Sequence, residues 1–303
     1  MDMMNNFWVA VGAVVPLFTL LVMGLVIKRL KLMTDSELAH TNRMVFTLFF
    51  FCMMFYNIYT TDLAHTVRPY LMLFGGLGVL LVCVVSAGLV CFFDKDDRHR
   101  GAMIQAVFRS NFVLFGIPIV GNIFGDSALA IPSMMIAVIV PIYNVLAVFV
   151  LETFRGGRFA LWPILRGVLK NPMIMGAIVA VILRLIDFPL PKSVLKGIGQ
   201  VAAATTPVAL IILGASFKAG SFHHHLPQLV SCVTARLVIV PAVALSLAVY
   251  LGFRDIELVT LLAIFASPCA VASFAMAQQM GSDADLAGNC VLYTKGLSCF
   301  TIF

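Results

Sequence analysis

Residues 109–125 read "RSNFVLFGIPIVGNIFG" and sit inside a long apolar run. Within it lie one arginine, two asparagines, three glycines and one proline. A helix that only crosses hydrocarbon gains nothing from such residues. Each polar group or broken backbone bond must there find a partner away from water. The stretch therefore predicts an interrupted membrane span, and the interruption needs a reason.

The surrounding chain explains why a span is expected at all. It has 303 residues, 61% hydrophobic and 11% charged, against roughly a quarter charged in soluble domains. Apolar runs long enough to cross a bilayer recur along its length. Ten spans are predicted near 7–27, 42–60, 70–92, 102–124, 128–151, 172–186, 194–217, 228–251, 257–280 and 285–303. The fold class is thus an all-α polytopic membrane protein with ten transmembrane helices. The first span reads as a retained helix rather than a cleaved leader. It is too long for a signal-peptide core, and basic "KRLK" follows it.

Lysine and arginine concentrate in alternate loops. Lys28, Arg29, Lys31 and Arg43, then Lys95, Arg98 and Arg100, then Arg155, Arg158, Arg166 and Lys170 lie on one side, with Lys218. The other side holds Arg68, Lys192, Lys196 and Arg254. The positive-inside rule puts the first group in the cytoplasm and both termini outside a cell membrane. The net charge of +6 carries this topology and does not indicate nucleic acid.

Short matches divide the chain in two. "VIKRL" (26–30) returns as "VILRL" (181–185), "AVFRS" (106–110) as "AIFAS" (263–267), and "FGDSA" (124–128) as "MGSDA" (280–284), at offsets of 155, 157 and 156. Five spans per half force the second half to enter from the opposite side. The expected architecture is a 5+5 inverted repeat, 1–153 and 160–303, as in many secondary transporters. The opening stretch then pairs with "FASPCAVASFAMAQQMG" (265–281). At 1.5 Å per residue, Asn111 and Pro268 lie about 15 Å deep from opposite faces. Paired helix breaks at the midplane of two halves mark a transport site.

At these residues the chain resembles the auxin efflux carrier family, bacterial relatives of the plant PIN proteins. Asn111 followed by Gly116, Ile117 and Pro118 is similar to the N-x4-G-I-P crossover of those proteins. Pro268 with the run to "AQQMG", "TTPVALIILGAS" (205–216) and "TKGLS" (294–298) also resemble family segments. The resemblance implies crossed broken helices 4 and 9, as in NhaA-type and bile-acid-type transporters. It implies scaffold helices near 7–60 and 172–217 that form a homodimer, and an elevator-type transport domain near 70–151 and 228–303. It implies a small organic anion as substrate, such as malate, malonate or an auxin-like acid. Two departures stand out: Ser110 where plant members carry a second proline, and Lys295 where a small hydroxyl residue is expected.

The expected substrate contacts are Asn111, Ser110, Arg109, Gly116, Pro118, Asn144, Ser267, Pro268, Ser273 and Lys295. Asn111 has helix-packing hydrogen bonding as its alternative. Gly116 with Pro118 is expected to shape the crossover, since proline removes an N–H and frees a carbonyl, with close helix packing as the alternative for Gly116. Ser267 and Ser273 have back-bonding to their own helix as an alternative. Arg236 is expected to snorkel to the interface; Arg109 either snorkels or draws the anion inward. Lys295 pairs with a substrate carboxylate, replaces a coupling cation, or snorkels. Among Asn57, Tyr143, Asn144, Thr205, Thr206, Gln278, Gln279, Asn289 and Tyr293, Asn144 is the preferred candidate.

No aspartate or glutamate lies mid-span, and all six histidines are expected in loops. Ion-carrying carboxylates of the antiporter kind are therefore missing. The half-helix N-termini add positive potential at the breaks. Three readings remain: a carboxylate carrier coupled to protons, sodium or no ion; a cation/proton antiporter; and a membrane sensor or enzyme. No nucleophile–base pair lies within the spans, which argues against an enzyme. No cofactor is implied. The seven cysteines show no metal-ligand spacing. Consecutive histidines at 223–225 do not share a helix face, so a metal site made of all three is not expected.

Overall fold

The computed structural model describes residues 3–60, 68–125, 128–155, 161–217 and 225–301, and every regular element among them is helical. We number the helices α1 (Met3–Arg29), α2 (Asp35–Thr60), α3 (Pro69–Phe93), α4 (Asp97–Phe108), α5 (Phe112–Phe124), α6 (Ala130–Arg155) and α7 (Leu161–Lys170). They continue as α8 (Pro172–Leu185), α9 (Lys192–Ser216), α10 (Leu226–Tyr250), α11 (Asp255–Ala266), α12 (Ala272–Met280) and α13 (Ala284–Thr301). Helices α2, α3, α6, α9 and α10 are each long and apolar enough to cross a membrane. The pair α7–α8, bent by 67°, makes a sixth if taken as one span.

The outer surface is consistent with a bilayer as solvent. Leu73, Leu77, Leu81, Val84 and Phe92 along α3 are all more than half exposed. In water such a stripe would be an aggregation site; in lipid it costs nothing.

Helix ends extend past the apolar windows into polar sequence. Helix α2 starts at Asp35 rather than near 42. Thr34 and Glu37 form a reciprocal capping box, with the Thr34 N–H donating to Glu37 Oε2 at 2.7 Å. His40 and His99, expected in loops, are therefore helical. His223 and His224, and Asp126 and Ser127 of the "FGDSA" match, fall outside the described residues. The start of α8 matches its sequence signal: Asn171 caps it, accepting from the Met173 N–H at 3.0 Å, and Pro172 takes the first turn. Helix α7 was not anticipated. Trp162, Leu165 and Leu169 make an exposed apolar stripe on it, the pattern of a helix lying at a membrane surface.

Two kinds of packing organise the bundle. Helices α1 and α9 meet backbone to backbone, where a Cβ on Gly24 would stand 2.1 Å from the Ile211 oxygen and one on Gly214 2.1 Å from the Leu21 oxygen. Close approach at small residues is how membrane helices associate without a hydrophobic drive. Helix α8 meets α2 in the same way, at Gly176 against the Phe51 carbonyl. Around the breaks, packing instead uses large side chains. Phe108, Phe112, Phe115 and Phe265 are buried there, with Phe265 against Gly78 of α3.

Two π-turns interrupt long helices, Val45–Phe49 in α2 and Ala235–Ile239 in α10. The second precedes Pro241, whose ring would clash with the carbonyl four residues back in a regular helix. It also carries Arg236, a placement in keeping with the association of π-turns with functional sites.

Candidate functional site

The opening stretch is broken, but at Arg109–Asn111 rather than at Gly116–Pro118. Helix α4 ends at Phe108 and α5 runs from Phe112 to Phe124 with Pro118 inside it. The sequence expectation that Gly-Ile-Pro makes the crossover is corrected here. Pro118 is exposed, and Gly116 serves packing: a Cβ there would meet Ala263 of α11 at 3.2 Å. In the partner stretch, α11 ends at Ala266, Ser267 is extended, and α12 starts at Ala272. Pro268 explains this ending, because the residue before a proline is driven out of the helical region.

The two breaks lie against each other. Ser110 and Cys269 form an isolated antiparallel bridge. The Asn111 N–H donates to the Pro268 carbonyl at 2.8 Å, and the Ala270 N–H donates to the Arg109 carbonyl at 3.2 Å. Each unwound segment thus replaces some of its lost helical bonds with bonds to the other. This pairing is the physical reason for a break at 109–111, where no proline stands.

Arg236 satisfies much of the remainder. It is fully buried and does not snorkel, contrary to the sequence expectation. Its Nε donates to the Ser267 carbonyl at 2.8 Å, Nη2 to Ile264 at 2.9 Å, and Nη1 to Val107 at 3.0 Å and Phe108 at 3.4 Å. One guanidinium therefore binds the orphan carbonyls at the C-terminal ends of both α4 and α11. These ends carry partial negative charge, which the arginine offsets. The N-terminal ends of α5 and α12, with their partial positive charge, begin two and three residues past the bridge.

Arg109 is also buried and does not snorkel. Nη2 donates to Asn144 Oδ1, and Nη1 reaches Gln105 Oε1 at 3.3 Å and the Met276 sulfur at 2.6 Å. Asn144 in turn donates to the Val140 carbonyl at 2.8 Å. Among the described residues, no carboxylate pairs with Arg109. Ser110 Oγ lies 2.9 Å from the Tyr143 hydroxyl, which also donates to the Ile264 carbonyl at 3.2 Å. Ser110, Arg109, Asn144 and Tyr143 thus form one polar network around the bridge.

Lys295 is fully buried in α13, so snorkelling is excluded for it too, and its Nζ has no hydrogen-bond partner among the described residues. The preceding residue, Thr294, accepts the Cys269 N–H at 3.1 Å, which fixes Lys295 beside the break. Arg109, Arg236 and Lys295 all lie near Cys269. Asn111 Nδ2 and Ser267 Oγ are likewise buried and unpartnered. Ser273 is buried one residue into α12, next to the Cys269 thiol.

Two residues here were not anticipated from sequence. Gln105 is fully buried, with Oε1 on Arg109 and Nε2 without a partner. Asn42 of α2 is fully buried and donates to Gln278 Oε1 of α12 at 2.5 Å. It joins the α2 region to the broken helix. A small crevice, open to one side, lies between the end of α9 (Leu213, Ser216, Phe217) and α12–α13 (Phe274, Gly288, Asn289).

Comparison with known proteins places the chain among membrane transporters. The family model for membrane transport proteins matches residues 9–160 and 157–303. An uncharacterized transporter of Methanocaldococcus jannaschii is 23% identical over 236 residues, covering 74% of this chain and 75% of the relative. A second uncharacterized transporter, of Methanothermobacter thermautotrophicus, is 20% identical over 298 residues and 95% of each chain. With the match spanning nearly the whole length, the chain belongs to the membrane transport protein family, that of the auxin efflux carriers.

Proposed function

We propose that the protein is a secondary active transporter of a small organic anion, a mono- or dicarboxylate such as malate or malonate, or an auxin-like acid. The observation that carries this reading is the charge at the paired breaks. Lys295 Nζ and Asn111 Nδ2 are buried there without hydrogen-bond partners, beside two half-helix N-termini of partial positive charge, while Arg236 covers the opposing C-termini. An anion would supply the acceptors these groups lack. Hydrogen bonds of this charge-assisted kind are about twice as strong as neutral ones. Binding at the crossing would thus relieve a cost of several kcal/mol that an empty site carries.

The inverted repeat belongs to the same proposal. Helices α2 and α9 start at residues 35 and 192, and α3 and α10 at 69 and 226; each second number exceeds the first by 157. Helices α4 and α11 end at 108 and 266, on the breaks themselves. This spacing supports ten spans in two halves of five, with broken helices α4–α5 and α11–α12 crossing. Helices α1, α2, α8 and α9, joined at glycines, would form the scaffold and a homodimer interface. Helices α3–α6 and α10–α13 would move as an elevator in a cell membrane, both termini outside. Coupling to a proton or sodium ion is compatible with this reading.

The test is uptake into proteoliposomes from a panel of labelled malate, malonate, lactate and indole-3-acetate. At least one is taken up, and Asn111→Ala reduces that uptake at least tenfold. Sodium-driven proton flux with no anion uptake would overturn the proposal in favour of a cation/proton antiporter.

A further inference from the structure

Away from the breaks, three helix ends bring two histidines and several carboxylates together. His99 lies in the first turn of α4, His225 immediately before α10, and Asp283 between α12 and α13. One ligand atom from each lies within 4.8 Å of the others. His225 Nε2 is 3.4 Å and His99 Nε2 is 3.5 Å from the same oxygen, Asp283 Oδ2. Asp96 Oδ2 is 3.8 Å from His99 Nε2. All three of His99, His225 and Asp283 are only partly exposed.

We propose that His99, His225 and Asp283 bind a divalent transition-metal cation of the zinc type, with Asp96 or water completing the shell.

Two features favour a cation over direct hydrogen bonds. Charge-assisted N–H···O bonds are about 2.7–2.9 Å long, and these contacts are longer. Ligands about 2.0–2.1 Å from a tetrahedral metal stand about 3.3–3.4 Å apart, which matches the two short edges. The second feature is orientation. His99 Nδ1 lies 3.3 Å from Asp94 Oδ2, which also accepts from Gln228 Nε2 at 3.2 Å. A carboxylate on Nδ1 fixes the tautomer that leaves the Nε2 lone pair free, as in carboxylate–histidine–metal units. That lone pair then faces the Asp283 carboxylate, two acceptors with nothing to share but a cation. Asp283 is itself held, its N–H on the Arg98 carbonyl at 3.1 Å and its Oδ1 accepting from the Leu286 N–H at 2.8 Å.

Two imidazoles with carboxylates suit zinc, cobalt or nickel better than magnesium or calcium. The bound ion would tie the α3–α4 turn, the start of α10 and the α12–α13 turn together. It therefore fixes the outer ends of both broken helices. The proposal does not depend on which solute is carried.

The experiment uses the purified full chain in detergent, stripped with chelator. Zn²⁺ is titrated against a chromophoric competitor, and Co²⁺ is followed by its visible absorption. Expected are one Zn²⁺ per chain, tetrahedral Co²⁺ bands, and no competition from excess Mg²⁺. His99→Ala and Asp283→Asn should each weaken binding at least tenfold. Should His99→Ala fail to fold, Asp94→Asn and His225→Gln serve instead, and each is expected to weaken binding tenfold or more. Absence of saturable Zn²⁺ binding, or binding unchanged in these variants, would overturn the proposal. So would an unfolding midpoint that moves with pH but not with Zn²⁺, which would assign the cluster to protons alone.

Discussion

Arg236 Nη2 donates to the Ile264 carbonyl at 2.9 Å, and the same guanidinium reaches Phe108 on the other broken helix. One side chain from α10 thus holds two helix ends that come from opposite halves of the chain. Removing it leaves up to four buried carbonyls with a donor lost. An unsatisfied buried acceptor costs about 1–3 kcal/mol. Arg236→Ala should therefore lower the thermal unfolding midpoint sharply or prevent accumulation of folded protein. Arg236→Lys keeps the charge but loses the planar fork, so an intermediate loss is expected. An Arg236→Ala midpoint equal to that of the parent chain would show that the carbonyls have other partners.

Asn111 presents the opposite case. Its backbone N–H is committed to Pro268, but Nδ2 has no partner. Truncation at Asn111→Ala removes no hydrogen bond made through Nδ2 and relieves an orphaned donor. Stability should change by less than about 1 kcal/mol, while solute uptake falls at least tenfold. Comparing unfolding midpoints with uptake rates checks both halves of this expectation. A large drop in stability with uptake intact would make Asn111 a structural residue.

Arg109 and Asn144 form a pair whose partners can be separated. Asn144→Ala removes the oxygen that accepts from Arg109 Nη2, leaving the guanidinium with Gln105 and Met276 as its other side-chain contacts. If the pair positions a charge for the anion, Arg109→Gln and Asn144→Ala should each raise the KM for uptake several-fold. Their double mutant should be no worse than Arg109→Gln alone. Fully additive losses in a double-mutant cycle would mean the two act independently.

Much of this could be read from residue order. Polar residues in an apolar run located the break near Asn111, and Pro268 located its partner. The role given to Gly116 and Pro118 in shaping the crossover did not hold, since both lie inside α5. The actual position depends on pairing with residues some 160 positions away, which no local propensity encodes. Arg236 was missed for the same reason. A lone arginine a few turns into a span has snorkelling as its ordinary explanation, and only the crossing supplies carbonyls for it to bind. Gln105 was within reach: an amide amid "AMIQAVF" (102–108) has no use for lipid. His99, His225 and Asp283 are widely separated in sequence, and no motif spacing links them.

Lys295 distinguishes substrate binding from structural bracing by the sign of its effect on stability. Its ammonium is buried and has no hydrogen-bond partner among the described residues. A buried charge without a partner costs free energy, and replacing it by an apolar residue of similar length removes that cost. Lys295→Met should therefore raise the unfolding midpoint of the empty protein. If the ammonium meets a substrate carboxylate, the same change should weaken anion affinity at least tenfold, and added anion should stabilise the parent chain far more than the variant. A brace in place of a coupling cation predicts otherwise: Lys295→Met would then destabilise the empty protein, and the anion would protect both chains equally. Thermal unfolding of the two proteins, with and without millimolar malate or malonate, reads both quantities in one experiment.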